Sequence, residues 1–376
     1  MDIADLLRRR EIVGLARGWA YLTDQTVMVT GAGGSIGLEL CMQVARAGPG
    51  RIVLLGHGEN SLFEAQLRLR EAFPSVALHL VVADIRDRRR LDRVFRRLAP
   101  RIVFHAAACK HVPLMEENFE EAISTNVVGT ANVVDAALGA GVERLVAIST
   151  DKAVSPAGIM GVSKRLAGTL VRDAGRRTGR AFLVVRFGNV LDSRGGVVSV
   201  FERQIRAGGP LTITHPGMTR FFMTVSEAVH LVLAAGGGGR GGELYVLDMG
   251  RPVRIVDLAR DLIRWSGLTA EQMPIVFTGV RPGEKLEESL WERGALVEGT
   301  GQDHVLRVRE SESAGDNLRA AVRALQRAAR AGDRVSAVAI LHERIPTFSP
   351  GVLATADGTA SLPHDHLAGD VPTVAP

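Results

Sequence analysis

Short apolar runs alternate with longer amphipathic stretches through the first half of the chain. Apolar runs bounded by turn residues are typical of buried strands, and apolar residues that recur every three or four positions are typical of helices. The runs predict strands at 26–30, 51–55, 77–82, 102–106, 144–149 and 181–186, and the amphipathic stretches predict helices at 35–47, 60–73, 88–98, 120–141 and 161–178. Repeated βα units of this kind predict an α/β fold built on a doubly wound parallel sheet.

The pattern becomes irregular after residue 187, where glycine and proline interrupt short elements. We therefore predict a parallel-sheet domain over 24–187 and a smaller C-terminal lobe over 188–348 that interleaves core elements with it. A linker-like segment precedes them at 1–23, and 349–376 is rich enough in Gly, Ala, Pro and Thr to predict a disordered tail. The glycine cluster at 236–242 predicts a surface loop.

Composition and charge narrow the class of protein. Hydrophobic residues at 46% and charged residues at 23% of 376 are ordinary for a globular chain with a well-buried core. The net charge of +5 allows an anionic partner, but no aromatic residues interleave the arginines, so a small acidic substrate is favoured over nucleic acid. No segment predicts a membrane span or signal peptide, and the isolated Cys41 and Cys109 form no metal-ligand pattern. A soluble cytoplasmic protein without a metal is expected.

A glycine-rich sequence follows the first predicted strand and opens the first predicted helix. Glycines at such a junction let the backbone approach a pyrophosphate, and the helix N-terminus supplies N–H donors and positive potential. The sequence therefore predicts a dinucleotide site that includes Gly31, Gly33, Gly34, Ser35, Ile36 and Gly37. Asp84 and Ile85, after the third predicted strand, fit an adenine contact, although a turn or a helix cap explains Asp84 nearly as well.

The end of the second predicted strand lacks the residue that usually distinguishes NAD from NADP. An Asp or Glu normally stands there and binds the ribose 2′-OH of NAD. Here the strand ends at Gly56 and His57, and no arginine is placed to meet a 2′-phosphate. Glu59 and the backbone are the remaining candidates for the ribose contact. Because no arginine meets a 2′-phosphate, NAD is favoured, while NADP stays open.

Candidate chemistry is concentrated between Ser149 and Lys164. The sequence Ser149-Thr150-Asp151-Lys152 closes the fifth predicted strand, at the carboxyl edge where ligands bind to parallel sheets. Met160 stands one helical turn before Lys164 on the next helix. A thioether cannot take a proton, so Asp151 and Lys152 are the candidates for acid and base catalysis.

Two physical conditions accompany this assignment. Neighbouring residues in a strand point to opposite faces, so Asp151 and Lys152 can serve one substrate only if the strand has ended by Thr150. An acidic Asp151 and a basic Lys152 must also both be neutral. Burial favours that state and makes the pair titrate as a coupled unit. An Asp-Lys surface turn is the alternative explanation.

Seven ordered motifs extend the pattern over 24–345. They lie at 30–37, 105–113, 125–130, 149–164, 186–190, 215–223 and 281–285. Together they resemble the nucleotide-sugar 4,6-dehydratases of bacterial polysaccharide biosynthesis, which belong to the extended short-chain dehydrogenase/reductase superfamily. The members most similar to this sequence act on UDP-N-acetylglucosamine.

This resemblance implies a Rossmann domain that binds NAD(P) over 24–187, a substrate-binding lobe over 188–348 and a dehydration that recycles the cofactor. Hydride leaves C4 of the sugar, a base removes the C5 proton, an acid helps the C6 hydroxyl leave as water, and the hydride returns to C6. The resemblance assigns Asp151 as the acid and Lys152 as the base, places Thr150 at the C4 end and pairs Lys164 with the nicotinamide ribose. The acceptor of the C4 hydroxyl proton is left unassigned.

Met160 stands where superfamily members normally carry a catalytic Tyr. It resembles the C5-retaining branch of the family, whose long members carry an N-terminal membrane portion. The resemblance also implies further contacts: Ala106, Ala107, Ala108, Lys110 and Asn126 to the cofactor, and Lys110, His111, Asn189, Ser193, Arg194, Thr214, Arg220, Arg281 and Glu284 to a UDP-sugar. Helices corresponding to 128–140 and 166–178 pair across oligomers in the family, so a homo-oligomer is expected.

Two other classes of function stay open. An epimerase, or a dehydratase with a different product, would use the same cofactor and nucleotide sites, although an Asp151–Lys152 pair has no purpose in simple 4-epimerisation. A non-catalytic dinucleotide-binding regulator would need the glycine-rich turn but neither Lys152 nor the arginines of the nucleotide site.

Overall fold

The computed structural model describes residues 6–7, 9, 11–12, 19–310 and 317–350. The disordered tail predicted at 349–376 therefore lies outside the described residues, except for Ser349 and Pro350. The strands are β1 (Thr26–Thr30), β2 (Arg51–Gly56), β3 (Leu78–Val82), β4 (Ile102–His105), β5 (Arg144–Thr150), β6 (Ala181–Phe187), β7 (Asn189–Leu191), β8 (Leu211–Ile213), β9 (Thr219–Arg220), β10 (Phe222–Thr224), β11 (Leu244–Leu247), β12 (Val253–Arg254), β13 (Ile275–Phe277), β14 (Leu296–Gly299) and β15 (Val305–Arg309).

Helices cover both faces of the main sheet. They are α1 (Ser35–Arg46), α2 (Glu59–Ala72), α3 (Arg88–Leu98), α4 (Val112–Glu117), α5 (Phe119–Ala122), α6 (Thr130–Gly139), α7 (Ile159–Thr178), α8 (Val197–Arg206), α9 (Val225–Gly238), α10 (Ile255–Trp265), α11 (Leu318–Arg330) and α12 (Arg334–Arg344). Local sequence sets several of their ends. Asp87 caps α3 by accepting a hydrogen bond from the Arg90 amide, and Thr224 and Glu227 form a capping box at the start of α9.

Nine of the described strands form one sheet, in the order β14, β15, β11, β6, β5, β4, β1, β2, β3. The strands from β11 to β3 run parallel, while β15 and β14 join antiparallel. Strand order reverses between β1 and β4, so a crevice opens at their carboxyl ends, as doubly wound sheets require. The parallel sheet and its predicted strands are confirmed, with bounds within one residue of those expected.

Two predicted elements are corrected. The single helix expected at 120–141 is divided into α5, a π-helical segment at Ile123–Gly129 and α6. The prediction of a surface loop at 236–242 is wrong for residues 236–238, because α9 continues to Gly238. Gly236 is buried there, and a Cβ on it would lie 2.7 Å from the Tyr21 hydroxyl, so this glycine allows close packing.

The helices expected to pair between subunits are covered within this chain. Val128, Ala131, Leu166 and Leu170 are buried in an apolar cluster that also contains residues of α11 and α12. Arg319 at the start of α11 pairs with Asp135 on α6. The apolar residues of these helices are therefore covered by α11 and α12 within the chain, and the pairing between subunits stays a prediction.

The described part of the N-terminal segment packs on the C-terminal lobe. Leu6 and Leu7 are buried among apolar residues of α8 and α10. Glu227, a buried carboxylate at the start of α9, accepts hydrogen bonds of 2.6 Å from both Arg9 and the amide of Ile12. The residues expected to form a linker thus contact the lobe by both apolar and charged groups. Within the described residues, no helix combines the length and apolarity needed to cross a membrane.

Candidate active site

A cleft of about 640 Å³ lies at the carboxyl edge of the sheet, above β1, β4, β5 and β6. Its size suits a bound organic ligand. Sixteen of the sequence-predicted site residues line it: Gly31, Gly34, Ser35, Ile36, Gly37, Ala106, Ala108, Lys110, His111, Thr150, Lys152, Met160, Lys164, Asn189, and Ser193 and Arg194 from the loop after β7. Residues distant in sequence therefore meet where the topology predicts a ligand site.

The glycine-rich turn is shaped for close approach by a ligand. Gly31 has a φ of +72°, and a Cβ on it would lie 2.7 Å from the Ala107 amide nitrogen. A Cβ on Gly37 would overlap the carbonyl oxygen of Gly31. The start of α1 faces the cleft through Ser35 and Ile36, so unpaired N–H groups are available to an anion. This open cradle, which side chains would fill, fits the pyrophosphate of a dinucleotide.

The predicted adenosine contacts lie away from the cleft wall. Glu59 is exposed at the start of α2. Asp84 is engaged by Arg86, whose amide and Nε donate to it at 2.8 and 2.9 Å. Burial alone would raise the pKa of Asp84, but these hydrogen bonds and the Arg86 charge lower it. The Ile85 carbonyl accepts a 3.1 Å hydrogen bond from Asn132.

Gly33, Ala107 and Asn126 also lie beside the cleft rather than on its wall. Asn126, in the π-helical segment, holds Cys109 by accepting from its amide at 2.8 Å and donating to its carbonyl at 3.0 Å. Its side chain also donates to Ser163 on α7 at 3.0 Å. Asn126 therefore positions the segment after β4 that carries Lys110 and His111.

The catalytic candidates separate into residues on the wall and one behind it. Strand β5 ends at Thr150, and Asp151–Ala153 forms a 3-10 turn, so the condition that the strand ends by Thr150 is confirmed. Thr150 and Lys152 line the cleft. The side chain of Asp151 is wholly buried, and its Oδ1 accepts hydrogen bonds from Thr150 Oγ1 at 2.9 Å, the Lys152 amide at 2.9 Å and Lys152 Nζ at 3.0 Å.

Asp151 Oδ2 is buried without a hydrogen-bond partner among the described groups. It sits below Gly188, where a Cβ would lie 2.9 Å from it. A buried, unsatisfied carboxylate oxygen is costly, and one directly behind the wall of a cleft calls for a functional explanation. Asp151 thus reaches the cleft through Thr150 and Lys152, which both contact it.

A second acidic residue, Glu288, stands behind Lys152. Lys152 Nζ donates to Asn189 Oδ1 at 2.9 Å and lies 3.8 Å from Glu288 Oε1. Glu288 Oε2 lies 3.1 Å from Lys285 Nζ, which donates to the Val154 carbonyl at 2.7 Å. Glu288 is not predicted from the sequence, because a carboxylate in an irregular region carries no local signal of its long-range partner.

Met160 and Lys164 lie on one side of α7 and face the cleft. Met160 is almost fully buried and belongs to the apolar cluster under the cleft. Lys164 Nζ donates to the Ile148 carbonyl at 2.6 Å. Burial lowers the pKa of Lys164 from 10.5 to about 8.

Positively charged groups line the side of the cleft next to the glycine-rich turn. Lys110 Nζ donates to the Arg194 carbonyl at 2.9 Å, and the Arg194 amide donates to Ser35 Oγ at 3.1 Å. The Arg194 guanidinium donates to the Gly33 carbonyl. Burial lowers the pKa of Lys110 and of His111, and the neighbouring charges lower both further. This surface favours an anionic ligand, and Arg194 contacts the cofactor side of it.

The remaining predicted nucleotide contacts are not brought to the cleft wall. Arg220 is buried, and its guanidinium donates to the carbonyls of Thr219 at 2.7 Å, Lys285 at 2.9 Å and Leu286 at 3.1 Å. The Thr214 hydroxyl contacts Met218 Sδ at 3.0 Å. On the outer surface, Arg281 pairs with Glu284 at 2.7 Å. Arg220 therefore holds the segment that carries Lys285 and Glu288.

His105 was also missed as a positioning residue. Its Nδ1 lies 2.7 Å from Thr30 Oγ1 and its Nε2 lies 2.9 Å from Thr130 Oγ1. Burial lowers the pKa of His105 to about 3, so the ring is neutral and ties the residue before the glycine-rich turn to α6. Within the described residues, no group of three or more His, Cys, Asp or Glu is arranged to hold a metal ion.

Solved structures share this architecture. Pen from Bacillus thuringiensis superposes with a TM-score of 0.71 at 29% identity, over 77% of this chain and 89% of that one. A double mutant of DesIV, a dTDP-glucose 4,6-dehydratase from Streptomyces venezuelae with NAD and DAU bound, gives 0.63 at 24% identity, over 70% and 87%, a likeness in fold. The fold is that of the extended short-chain dehydrogenase/reductases of the dehydratase and epimerase type.

The family model for polysaccharide biosynthesis proteins matches residues 27–310, and the chain belongs to this family. It is 52% identical over 270 residues to the probable polysaccharide biosynthesis protein EpsC of Bacillus subtilis, covering 72% of this chain and 45% of EpsC. It is 48% identical over 299 residues to the capsular polysaccharide biosynthesis protein CapD of Staphylococcus aureus, covering 79% and 50%. The chain thus spans about half the length of these relatives. The UDP-glucose 4-epimerase of Rickettsia rickettsii is 36% identical over 274 residues, covering 71% and 77%.

Proposed function

We propose that the chain is an NAD-dependent UDP-N-acetylglucosamine 4,6-dehydratase that forms a UDP-4-keto-6-deoxy-N-acetylhexosamine with C5 configuration retained, for a surface polysaccharide or glycoconjugate. The observation that carries the proposal is the hydrogen-bonded set of Thr150, Asp151 and Lys152 beside Met160. A hydroxyl, a carboxyl and an amine are together what an elimination of water requires. A simple oxidation at C4 would need only one base.

The cleft fits a dinucleotide along the glycine-rich turn. The cradle at Gly31 and Gly37 and the start of α1 would hold the pyrophosphate, while Lys164 and Lys110 lie where ribose and phosphate oxygens would need donors. When bound, the nicotinamide accepts hydride from C4 and returns it to C6, and the resulting C4 ketone acidifies the C5 proton. NAD is the cofactor named for DesIV, which shares the fold.

Thr150 and Asp151 account for the proton of the C4 hydroxyl. As C4 is oxidised, Thr150 Oγ1 takes that proton and passes its own to Asp151 Oδ1, 2.9 Å away. Asp151 then carries the proton that the elimination step needs. The same proton returns through Thr150 to the C6 oxygen, whose bond to carbon breaks as water leaves. Asp151, reached through Thr150, is thus the proposed acceptor of the C4 hydroxyl proton, which the sequence alone leaves unassigned.

Lys152 is the base at C5. Its Nζ lines the cleft and is steered by Asn189 and Asp151, so a neutral amine at this position can remove the C5 proton and later return one. Lys110 and Arg194 supply positive charge for the phosphates of the bound molecules, while His111, whose pKa burial lowers, offers a neutral ring for hydrogen bonding beside them. Ser193, Thr214, Arg281 and Glu284 remain candidates for the sugar and the nucleoside, whereas Arg220 is already committed to backbone carbonyls.

The reaction can be tested by mass spectrometry of UDP-N-acetylglucosamine incubated with the protein and a catalytic amount of NAD. We expect loss of one water without accumulation of NADH. Lys152→Ala and Lys152→Arg should both lower the rate about 10²- to 10⁴-fold, because arginine keeps the charge but cannot act as a base. Glu202→Gln, an exposed carboxylate on α8, should leave the rate unchanged.

Two outcomes would count against the proposal. Formation of UDP-N-acetylgalactosamine at unchanged mass would identify an epimerase, the activity named for the Rickettsia relative. An unchanged sugar would exclude both reactions for this substrate. Full activity of Lys152→Ala would refute the role of the base.

A further inference from the structure

The chain contains only four lysines in a sequence rich in arginine, and all four gather at this site. Lys110, Lys152 and Lys164 line the cleft. Lys285 lies behind it, next to Glu288. Arginine would supply charge equally well, but of the two side chains only lysine can give up a proton and take it back. The placement of Lys285 therefore points to proton transfer rather than to charge alone.

Glu288 connects Lys285 with the proposed base. Only 2% of its side chain is exposed, and its two oxygens face different lysines, Oε1 at 3.8 Å from Lys152 Nζ and Oε2 at 3.1 Å from Lys285 Nζ. Oε2 makes no aligned hydrogen bond to any described group, so a lone pair is free to accept a proton. A movement of about 1 Å by the flexible Lys152 stem would bring Nζ within hydrogen-bond distance of Oε1.

Solvent reaches both lysines, but only Lys152 lines the cleft. Lys152 faces the cleft, which a bound substrate would fill, and 20% of its side chain is exposed when the cleft is empty. Lys285 does not line the cleft, yet 21% of its side chain is exposed. A proton on Lys152 can therefore reach water through Glu288 and Lys285 while substrate occupies the cleft.

We propose that Glu288 and Lys285 form a relay that exchanges the proton of Lys152 with solvent during turnover, an inference that rests on the proposed function. Lys285 first releases a proton to water. The Lys152 ammonium, formed when the C5–H bond breaks, passes a proton to the Glu288 carboxylate, which passes it to the Lys285 amine. The net change is one proton from C5 to solvent, and the reverse sequence delivers a solvent proton to C5.

The segment that carries the relay is held in place by contacts from three directions. Arg220 donates to the carbonyls of Lys285 and Leu286, and Lys285 donates to the carbonyl of Val154, two residues after Lys152. Gly158 approaches Gly283 so closely that a Cβ would lie 2.8 Å from the Gly283 Cα. These contacts hold the segment with Glu288 and Lys285 beside Lys152, so Glu288 and Lys285 are positioning residues that act through the base.

The test follows a deuterium placed at C5 of UDP-N-acetylglucosamine, with turnover in ordinary water. The wild type should give product that carries hydrogen at C5. In Glu288→Gln and Lys285→Arg, Lys152 should return part of the deuterium to C5. Up to about one third of the product should keep the label, because the Lys152 ammonium holds three equivalent hydrogens. Both variants should lower kcat with little change in KM. Glu287→Gln, an exposed neighbour, should behave as the wild type.

A purely structural role predicts a different result. Lys285→Arg keeps the charge and the donors, so it would then exchange label as completely as the wild type. That result, or retention of the label by the wild type itself, would overturn the relay. Glu288→Asp, which restores a carboxylate, should recover part of the exchange. Absence of any product with the wild type would instead reject the proposed function, so the two failures are distinguishable.

Discussion

At the scale of single residues, burial rather than charge pairing determines what the amines of the cleft can do. Lys164 is enclosed by β5 and α7 and donates to the Ile148 carbonyl. Burial lowers its pKa to about 8, so its charged form is disfavoured in the folded protein. Burial also lowers the pKa of Lys110, and the neighbouring Arg194 charge lowers it further. The cleft therefore holds amines that are ready to exchange protons or to meet an anion.

Lys164 makes folding stability depend on pH. Its pKa is about 8 when folded and 10.5 ordinarily, so the unfolded chain binds more protons between these values and stability rises with pH across that window. The free energy of unfolding of the wild type, relative to Lys164→Met, should increase by about 3 kcal/mol from pH 8 to 10.5. Urea unfolding at several pH values measures this difference. If the free energy of unfolding changed equally with pH in the wild type and in Lys164→Met, this prediction would be contradicted.

At the scale of elements, the turn between β1 and α1 places backbone where no side chain fits. Gly37→Ala would push a Cβ into the Gly31 carbonyl, which is backbone and cannot swing away. We expect a loss of about 1–3 kcal/mol in unfolding free energy and a weaker NAD affinity by calorimetry. Gly139→Ala, at a helix end with no atom within 4 Å, should be neutral or stabilising by about 0.4–1 kcal/mol. If the two substitutions changed unfolding free energy and NAD affinity equally, the requirement for glycine at position 37 would be refuted.

The elements also show which features a sequence can and cannot predict. The strands, the glycine-rich turn and the parallel arrangement of the sheet follow from local patterns, because apolar runs, glycines at turns and the alternation of strands and helices can be read along the chain. The π-helical segment around Asn126 does not, since its side-chain bonds to Cys109 and Ser163 depend on tertiary contacts. Arg220 was expected to bind a nucleotide, but motif membership does not reveal that its guanidinium already serves backbone carbonyls. Glu288 is the converse case, a residue without a local signal that the fold brings to Lys152.

At the scale of the whole molecule, the C-terminal helices take the place expected of a second subunit. Leu325 of α11 and Leu341 of α12 are fully buried in the cluster that includes Val128 and Leu166. Because the chain covers this surface itself, pairing through 128–140 and 166–178 would require α11 and α12 to leave.

Substitution in α11 tests this arrangement. Leu325→Asp would bury an unpaired charge and should cost about 3 kcal/mol or more of unfolding free energy, whereas exposed Arg323→Asp on the same helix should change it by less than about 0.5 kcal/mol. Denaturant unfolding measures both, and light scattering reports any association through the uncovered cluster. A Leu325→Asp variant as stable as the wild type would show that α11 does not cover this face.

A 4,6-dehydratase moves hydride from C4 to C6 within one sugar, and this transfer can be followed directly. UDP-N-acetylglucosamine carrying deuterium at C4 can be converted by the protein with catalytic NAD and followed by NMR. A dehydratase with Thr150, Asp151 and Lys152 in the proposed roles predicts that the deuterium appears at C6 of a 4-keto-6-deoxy product. Deuterium that remains at C4 of a C4-inverted sugar, with the C6 hydroxyl intact, would contradict the account.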